Sequence, residues 1–329
     1  MWNPRESESL IYLSKRVIYA IPVVFAVITS AFILLKLAPG DPALLLAGEG
    51  ATPQYIENMK KIYGLDKPIF EQYLIYVGKF LIGDWGFSIS HQRPVLDVIL
   101  ERLPATLILA GSALFISVLF GIILGVVAAV KRESIIDYLI SSVSMILYSI
   151  PVFVIAEFLI LFFAVEYKIF PISGFVSVGI SGRNIFLYVS DVLWHLMLPS
   201  ISLALLLMAY FVRLTRSSMI EVLSSNYIIA ARARGILPNR ILFKHALKNA
   251  LIPVVTMAGI QLAAMVGGVV ITETIFAWPG IGKLTMEAIE SRDYPLITGI
   301  FIFVTIAVIL INIITDYIYT ILDPRVRFG

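Results

Sequence analysis

Histidine, cysteine and carboxylate side chains carry most metal binding and catalysis, and this chain offers few of them in useful patterns. It contains no cysteine, which excludes disulfides, thiolate nucleophiles and cysteine-ligated metals. Its three histidines, His91, His195 and His245, are far apart in sequence, and none belongs to an H-E-x-x-H string. The residue types therefore predict neither a metal site nor thiol chemistry.

Two short strings look like catalytic motifs but lack the neighbours that such motifs need. Residues 179–182 read G-I-S-G, which would make Ser181 a serine nucleophile with His195 as the available histidine. No oxyanion or base partner is evident, so intramembrane proteolysis is only a rival hypothesis. Gly282 and Lys283 precede a leucine, and Ala277 stands where a phosphate-binding loop has its first glycine, so this string predicts no nucleotide site.

The composition explains the scarcity of chemical groups. Of the 329 residues 59% are hydrophobic and 14% are charged, and the mean hydropathy is +0.94. A soluble domain has roughly 45–50% apolar and about 25% charged residues. A membrane-spanning helix needs about 20 apolar residues. Six segments reach that length, which predicts an all-α integral membrane protein: Val17–Leu37, Ala105–Val130, Tyr138–Ala164, Trp194–Val212, Leu251–Ile275 and Leu296–Ile318.

The predicted organisation follows from these spans and from the basic residues between them. Residues 1–16 form a tail, 17–37 the first span, 38–104 an external subdomain, 105–322 a five-helix core and 323–329 a second tail. Lysine and arginine concentrate in both tails, in the turn at 131–132 and in residues 213–249, here called the basic segment. The positive-inside rule then places both termini in the cytoplasm of a multi-pass cell-membrane protein.

The external subdomain mixes turn signals with amphipathic stretches. Within Glu71–Leu81 the apolar residues recur at helical spacing: Tyr73, Leu74, Val77, Phe80 and Leu81. This apolar face either packs on the mouth of the bundle or meets an external partner.

Two predicted spans contain mid-span helix breakers, which mark candidate walls of a transport pathway. Pro151 removes a backbone hydrogen bond in the third span, and Gly267 and Gly268 adjoin within the fifth. Membranes tolerate such breaks only where protein or a water-lined cavity satisfies the freed groups. A static kink is the alternative at each position.

Polar residues within the spans are the other pathway candidates. Glu157 lies in the third span, where an ionisable side chain costs roughly 2.5–3.5 kcal/mol to insert. It either faces a polar solute or is protonated or buried against another helix. Gln261 in the fifth span is a further candidate, although an interhelical hydrogen bond explains it equally well.

The basic segment is the most informative part of the sequence. It predicts a helix over Ser217–Arg234 that ends at Gly235, and a second helical stretch over Arg240–Asn249. Ala230, Ala231 and Ala233 give the first helix a small-residue surface on which another protein's backbone could lie closely. Binding of anionic lipid explains the charge but not the alanines or the glycine stop.

Residues 226–253, NYIIAARARGILPNRILFKHALKNALIP, resemble the cytoplasmic loop of permeases from ABC importers. The general pattern is E-A-A, three residues, Gly, nine residues, then I-x-L-P. Ala230, Ala231, Gly235 and Leu247 match it, whereas Ile229, His245 and Lys248 depart from it. These departures are usual in the dipeptide, oligopeptide and nickel branch of the family, which has A-R-A-[KR]-G and H-A-L-[KR]-N-A-L-[IL]-P.

Further strings along the chain resemble the same branch, in the same order. They are APGDPA (38–43), YGLDKPIFEQY (63–73), GDWGFS (83–88), ERLPATL (101–107), RLTRSSMIEVL (213–223), ETIFAWPGIGKLTMEAIESRDYP (273–295) and LDPRVR (322–327). The long first loop is typical of the B-type permease, which pairs with a C-type subunit. The resemblance therefore covers nearly the whole chain and implies the type I importer permease fold.

The resemblance implies a machine in which this chain forms half of the pathway. Two permeases, two cytoplasmic ATPases that hold the ATP and magnesium, and an external solute-binding protein would assemble around it, with lipid and without nucleic acid. This chain would contain no cofactor and would not be an enzyme. The ATPases would contact a coupling site of these residues: Glu221, Tyr227, Ala230, Ala231, Arg232, Ala233, Arg234, Gly235, His245 and Leu247.

The resemblance leaves the solute open between di- and oligopeptides, oligosaccharides and nickel. It also leaves open whether the second permease is identical or distinct. An ion-coupled secondary transporter is the rival of another class, but it would be expected to show paired intramembrane carboxylates and internal repeats. The sequence has one mid-span carboxylate, Glu157, and no convincing repeat.

Overall fold

The computed structural model describes residues 4–37, 52–62, 66–180 and 184–322. The motif APGDPA, the candidate Ser181 and the tail 323–329 lie outside these residues. The regular structure of the described residues is helical apart from one short antiparallel pair, β1 (Phe87–Ser88) and β2 (Arg93–Pro94). The helices are α1 (Pro4–Leu37), α2 (Pro53–Ile62), α3 (Ile69–Leu81), α4 (Val95–Val130), α5 (Ile135–Ser149), α6 (Val152–Glu166), α7 (Ile185–Leu223), α8 (Asn226–Ala233), α9 (Pro238–Val266), α10 (Val270–Ile275), α11 (Ile281–Glu290) and α12 (Tyr294–Leu322).

Five of the helices in the described residues are long and apolar enough to cross a membrane, namely α1, α4, α7, α9 and α12. The third predicted span is the pair α5 and α6, which makes a sixth crossing if the pair counts as one span. Several helices extend beyond the predicted apolar runs. Helix α4 starts at Val95 rather than Ala105, α7 covers Ile185–Leu223, and α9 begins at Pro238, because polar helical turns continue each apolar segment.

Close packing of α4 on α7 forms the centre of the bundle. A Cβ at Gly121 would overlap the side chain of Phe211, and a Cβ at Gly125 would lie 2.6 Å from the Cβ of Thr215. Small residues allow membrane helices to approach this closely where lipid supplies no hydrophobic driving force. The two glycines therefore set the distance between the two longest helices described.

Helix α3 packs on the outside of α1 and α12. Its Val77 is buried with Ile28, Ala31 and Ile302, and Tyr73 and Phe80 pack against this group. The Tyr73 hydroxyl lies 2.8 Å from the Thr29 hydroxyl. Packing on the bundle is therefore confirmed for Tyr73, Val77 and Phe80.

The two outer leucines of α3 do not take part in this packing, so a partner at these positions stays a prediction. Leu74 is 52% exposed and Leu81 is 65% exposed, because the helix face in contact with α1 is narrower than the apolar stripe. A second link to α1 is polar, since Lys36 donates a hydrogen bond to Gln72.

The break at Pro151 is much sharper than a kink. Helices α5 and α6 meet at 98°, and this junction at Ile150 and Pro151 is called the elbow below. Ile150 has φ −83° and ψ 126°, the extended conformation to which a following proline restricts its neighbour. The proline therefore ends α5 and starts a second helix in a new direction.

The break at Gly267 and Gly268 ends the fifth span, so the predicted span Leu251–Ile275 is wrong at its end. Helix α9 stops at Val266, Gly268 has a φ of +93°, and Val270–Ile275 form the separate helix α10. Besides this left-handed conformation, Gly268 lies directly against the backbone of Gly282 at the start of α11. The glycine pair is thus a chain reversal that needs both positive φ and the absence of a side chain.

We expect Gly268→Ala to destabilise the protein more than Gly83→Ala. Both glycines have positive φ, which costs an alanine about 1–2 kcal/mol. The new Cβ at 268 would also overlap the Gly282 backbone, whereas the one at 83 would meet nothing within 4 Å. Such overpacking adds roughly 1–3 kcal/mol. Thermal unfolding of the purified variants measures the difference, and equal losses would contradict the proposed contact.

Candidate functional site

The small-residue helix of the basic segment is α8, and it is shorter than predicted. Helix α7 ends at Leu223 and α8 begins at Asn226, so the predicted continuous helix Ser217–Arg234 is wrong. Ser224 donates its hydroxyl to the carbonyl of Ile220, and Ser225 donates to that of Val222. Serine hydroxyls that bond to nearby backbone compete with the helical pattern, which is why the chain turns at this serine pair.

One face of α8 is fixed to the bundle. Ile228 is fully buried and packs with Met219 of α7 and with Ala246 and Ala250 of α9. Other parts of the α8 surface are exposed, and they present Ile229, Ala230, Arg232 and Ala233. The helix is therefore fixed on one side, while Ala230 and Ala233 stay open. The prediction is wrong for Ala231, which is half-buried and packs in the Ile228 cluster.

Gly235 ends α8 as predicted. It has a φ of +71°, its N–H donates to Arg232 and the N–H of Ile236 donates to the carbonyl of Ala231. These two bonds make a Schellman cap, and Ala231 and Ile236 belong to the same apolar cluster, the hydrophobic contact that usually accompanies this cap. Arg234 is exposed at the C-cap position.

Tyr227 links α8 to α9. Its hydroxyl accepts a hydrogen bond of 2.7 Å from the Asn249 side chain and lies 3.4 Å from the carbonyl of His245, to which it donates. Leu247 is half-buried in the same cluster as Ile228. The predicted second stretch Arg240–Asn249 is not a separate helix, because it is the continuous first part of α9 with a π-helical segment over Ile241–Ala246.

The predicted coupling residues thus lie together at one end of the bundle, on three elements. Glu221 is on the last turns of α7 rather than on the small-residue helix, His245 and Leu247 are on α9, and the others are on α8 or its cap. A groove with a volume of about 670 Å³ adjoins this end, and Arg132, Leu223, Arg232 and Ile236 are among its lining residues.

The pathway candidates are spread over two elements. Pro151 forms the elbow, and Glu157 follows it on α6 with an exposed side chain. Gln261 is half-buried on α9, and Gly267 and Gly268 end that helix. The candidates therefore do not form one cluster. They lie on the two helices that adjoin the breaks at Pro151 and at Gly267 and Gly268.

A buried carboxylate that the sequence did not single out as a site holds the second break together. The Glu273 side chain is fully buried. It accepts hydrogen bonds from Thr106 Oγ1 at 2.9 Å and from the N–H of Lys283 at 2.9 Å. Thr106 in turn accepts a 2.7 Å bond from the N–H of Ile281. The carboxylate thus caps the N-terminus of α11, where a negative charge is favoured, and ties it to α4.

Two neighbouring contacts add to this network of bonds around Glu273. Trp278 is fully buried and donates its indole N–H to the carbonyl of Ala105 at 2.8 Å. A Cβ at Gly280 would overlap the Glu273 carboxylate, so the glycine spacing in W-P-G-I-G makes room for it. The strings ERLPATL and ETIFAWPGIGK were visible in the sequence, but nothing in either string alone shows that they touch.

Asp293 plays a similar part for the β1–β2 pair. It is fully buried and accepts hydrogen bonds from the Ser88 hydroxyl at 2.6 Å and from the N–H and hydroxyl of Ser90 at 2.9 and 2.8 Å. Its other oxygen accepts from the N–H of Leu296 at the start of α12. The carboxylate thereby fixes the strand pair to the last span.

His195, the histidine that the sequence offers as a partner of Ser181, is buried within α7 and contacts Asp191 of the same helix. Its Nδ1 lies 2.9 Å from the carbonyl of Asp191 and 3.4 Å from the carboxylate of the same residue. That carboxylate accepts from the hydroxyl and N–H of Ser177. Asp191 therefore holds the segment before α7 through Ser177 and contacts His195 on its own helix.

Two family comparisons agree with this architecture. Residues 121–328 match the family described as "Binding-protein-dependent transport system inner membrane component", and residues 9–110 match the N-terminal family of the same membrane components. The chain belongs to this family. Membership confirms that it is a multi-pass membrane component of a transport system that depends on a solute-binding protein, with the ATPase on separate subunits. It also excludes the rival secondary transporter and protease.

Several curated relatives are similar over their full length. A probable peptide ABC transporter permease of Sinorhizobium fredii is 40% identical, covering 97% of this chain and 99% of the relative. The di/tripeptide transport system permease DppB of Pseudomonas aeruginosa is 39% identical over 97% and 99%. The dipeptide permease DppB of Escherichia coli is 36% identical over 96% and 98%.

A solved structure supports the predicted fold. The chain is similar to the MetNI methionine ABC transporter in an inward-facing conformation, with a TM-score of 0.54 and 20% identity. The match covers 69% of this chain and 97% of that chain. The family and this likeness together confirm the type I importer permease fold.

We expect Glu273→Gln to destabilise this protein by about 1–3 kcal/mol. The glutamine amide has only one acceptor oxygen, so its NH₂ group would face either the Thr106 hydroxyl or the N–H of Lys283, both of which donate to the carboxylate. Glu290→Gln is the matched control, since Glu290 is an exposed glutamate at the end of α11, the helix that Glu273 caps, and should change stability by less than ~0.5 kcal/mol. Thermal unfolding in detergent measures both. A Glu273 variant as stable as the control would show that the buried bonds contribute little.

Proposed function

We propose that this chain is one of the two permeases of a peptide importer and that α8 is the element on which its ATPase docks. The observation that carries the proposal is the exposed alanine surface of α8, held against the bundle by Ile228, Tyr227 and the Gly235 cap. A helix fixed on one face and open on the other can receive a partner and pass its displacement to α7 and α9.

The charge around α8 supports its cytoplasmic placement. Arg232, Arg234, Arg240, Lys244 and Lys248 lie on α8 or the start of α9, and all five are exposed. Basic residues close to span ends favour the cytoplasmic side. Both termini would lie on that side too, and ATP and magnesium would be held by the ATPases.

The ATPase contact predicts a clear effect of Ala230→Trp. Ala230 is exposed on α8, so the indole should leave the fold intact while blocking close approach of a partner backbone. We expect the amount of ATPase that co-purifies with the permease to fall at least about tenfold, a change of roughly 1.4 kcal/mol. Co-purification from membranes that contain both partners measures this.

The matched control for that experiment is Ile135→Trp. Ile135 is 77% exposed at the start of α5 and lies outside α8. It should leave the ATPase yield unchanged. Wild-type amounts of ATPase on the Ala230 variant would disprove docking on α8.

The pathway is proposed to run past the elbow and the exposed Glu157. An exposed carboxylate in an apolar helix is costly against lipid, so it calls for water, solute or a partner protein beside it. A second permease, of the distinct C-type, would cover this surface and form the other half of the route. The terminal charges of a peptide are suitable ligands for such a carboxylate.

Relatives named for dipeptide, di/tripeptide and peptide transport favour peptides as the solute. We expect vesicles with the complete transporter and its binding protein to import labelled di- and tripeptides in an ATP-dependent way, and to import neither oligosaccharides nor nickel. Import of a sugar or of nickel in place of peptides would reassign the solute.

The same vesicles test the pathway. Glu157→Gln should change peptide import per assembled complex, whereas Glu166→Gln, an exposed glutamate at the end of the same α6, should not. A Glu157 variant that assembles poorly but imports normally per complex would make the residue structural.

A further inference from the structure

A buried ion pair joins α5 to α7 close to the docking helix. Arg216 donates from Nε to Asp137 Oδ1 at 2.6 Å and from Nη2 to Oδ2 at 2.7 Å. The side chain of Asp137 is 2% exposed and that of Arg216 is 31% exposed. This fork-to-fork geometry fixes both the distance and the relative orientation of the two side chains.

The carboxylate is rigid within its own helix. The N–H of Glu133 donates to Oδ2 at 3.0 Å, and the Ser141 hydroxyl lies 3.4 Å from Oδ1. Ser134 caps α5 by accepting from the N–H of Asp137. Asp137 thus moves with the first turns of α5 and with the turn that precedes them.

Arg216 lies on the part of α7 that leads to α8. Helix α7 continues without a break from Arg216 to Leu223, and only Ser224 and Ser225 separate it from α8. A displacement of α8 can therefore pass to the end of α7. On the other side of the pair, α5 runs to the elbow and so to α6, which carries Glu157.

We propose that Asp137 and Arg216 are positioning residues that transmit movement of α8 through α5 and the elbow to α6, an inference that rests on the proposed docking of an ATPase on α8. The apolar surfaces of α5 and α7 can slide past each other, whereas the two parallel hydrogen bonds cannot lengthen without breaking. The pair therefore converts a movement at the docking end into a movement of the pathway wall.

A double variant separates transmission from folding. Removing one partner would leave a buried charge, so Asp137→Leu is combined with Arg216→Met, because well-packed apolar pairs often replace buried ion pairs without loss of stability. Arg216→Lys is the second variant, since lysine keeps the charge but not the two-pronged bond. The exposed pair Arg93 and Glu101, 2.7 Å apart, supplies the control Arg93→Gln with Glu101→Gln.

Distances between spin labels give a readout that does not depend on the solute. The chain has no cysteine, so two cysteines introduced at exposed positions would be the labelling sites within it. One label at Leu74 of α3 is paired with Leu237, which follows the Gly235 cap and lies outside the open surface of α8, or with Val143 of α5; Leu74, Leu237 and Val143 are 52%, 71% and 52% exposed. The first pair gives the α8 distance and the second pair gives the α5 distance. Each distance is measured in the assembled complex without nucleotide and after trapping with ATP and vanadate.

In the wild type and in the control we expect ATP to change both distances. In the apolar double variant the α8 distance should change as before, while the α5 distance should stay constant and peptide import per ATP should fall about fivefold or more. An α5 change of wild-type size in that variant would overturn the inference. If the double variant fails to assemble, the same comparison with Arg216→Lys decides, and a wild-type α5 change there would overturn it equally.

The proposed function fails in a different way. If α8 does not dock the ATPase, the α8 distance will not respond to ATP even in the wild type. If the α8 distance responds to ATP and the α5 distance still responds in the apolar double variant, only the inference about Asp137 and Arg216 is wrong.

Discussion

Backbone groups inside a membrane must find partners within the protein, and this constraint governs where the chain can leave the helical path. The end of α9 shows how the constraint is met. Gly268 lies against Gly282, and Glu273 accepts from Thr106 and from the N-terminus of α11. These contacts supply protein partners at a helix break whose backbone groups lipid could not bind. They also fix α10 and α11 to α4, so the rest of that end of the bundle depends on them.

The elbow meets the same constraint differently. Pro151 lacks an N–H and forces Ile150 into an extended conformation, so α5 ends and α6 starts anew at 98°. The hydrophobic surface of this pair remains largely exposed in the single chain, and Glu157 lies within it. The proposed second permease would place a protein surface opposite Glu157.

The docking end combines local and distant contacts. The serine pair and Gly235 set the ends of α8 through bonds between near neighbours, while Ile228 and Tyr227 fix it to α7 and α9. Asp137 and Arg216 then connect α7 with α5. Movement of α8 thus has two routes into the bundle, one along α9 and one through the ion pair.

The sequence by itself determined the features that depend on near neighbours. Apolar runs located the spans, basic residues marked the segment around α8, and Gly235 marked its end, because hydropathy and capping act within a few residues. Only the tertiary structure decided which polar residues meet. Thr106 and Glu273 are 167 positions apart, Ser88 and Asp293 are 205 apart, and Asp137 and Arg216 are 79 apart. No local pattern encodes such pairs, since helix packing alone brings them together.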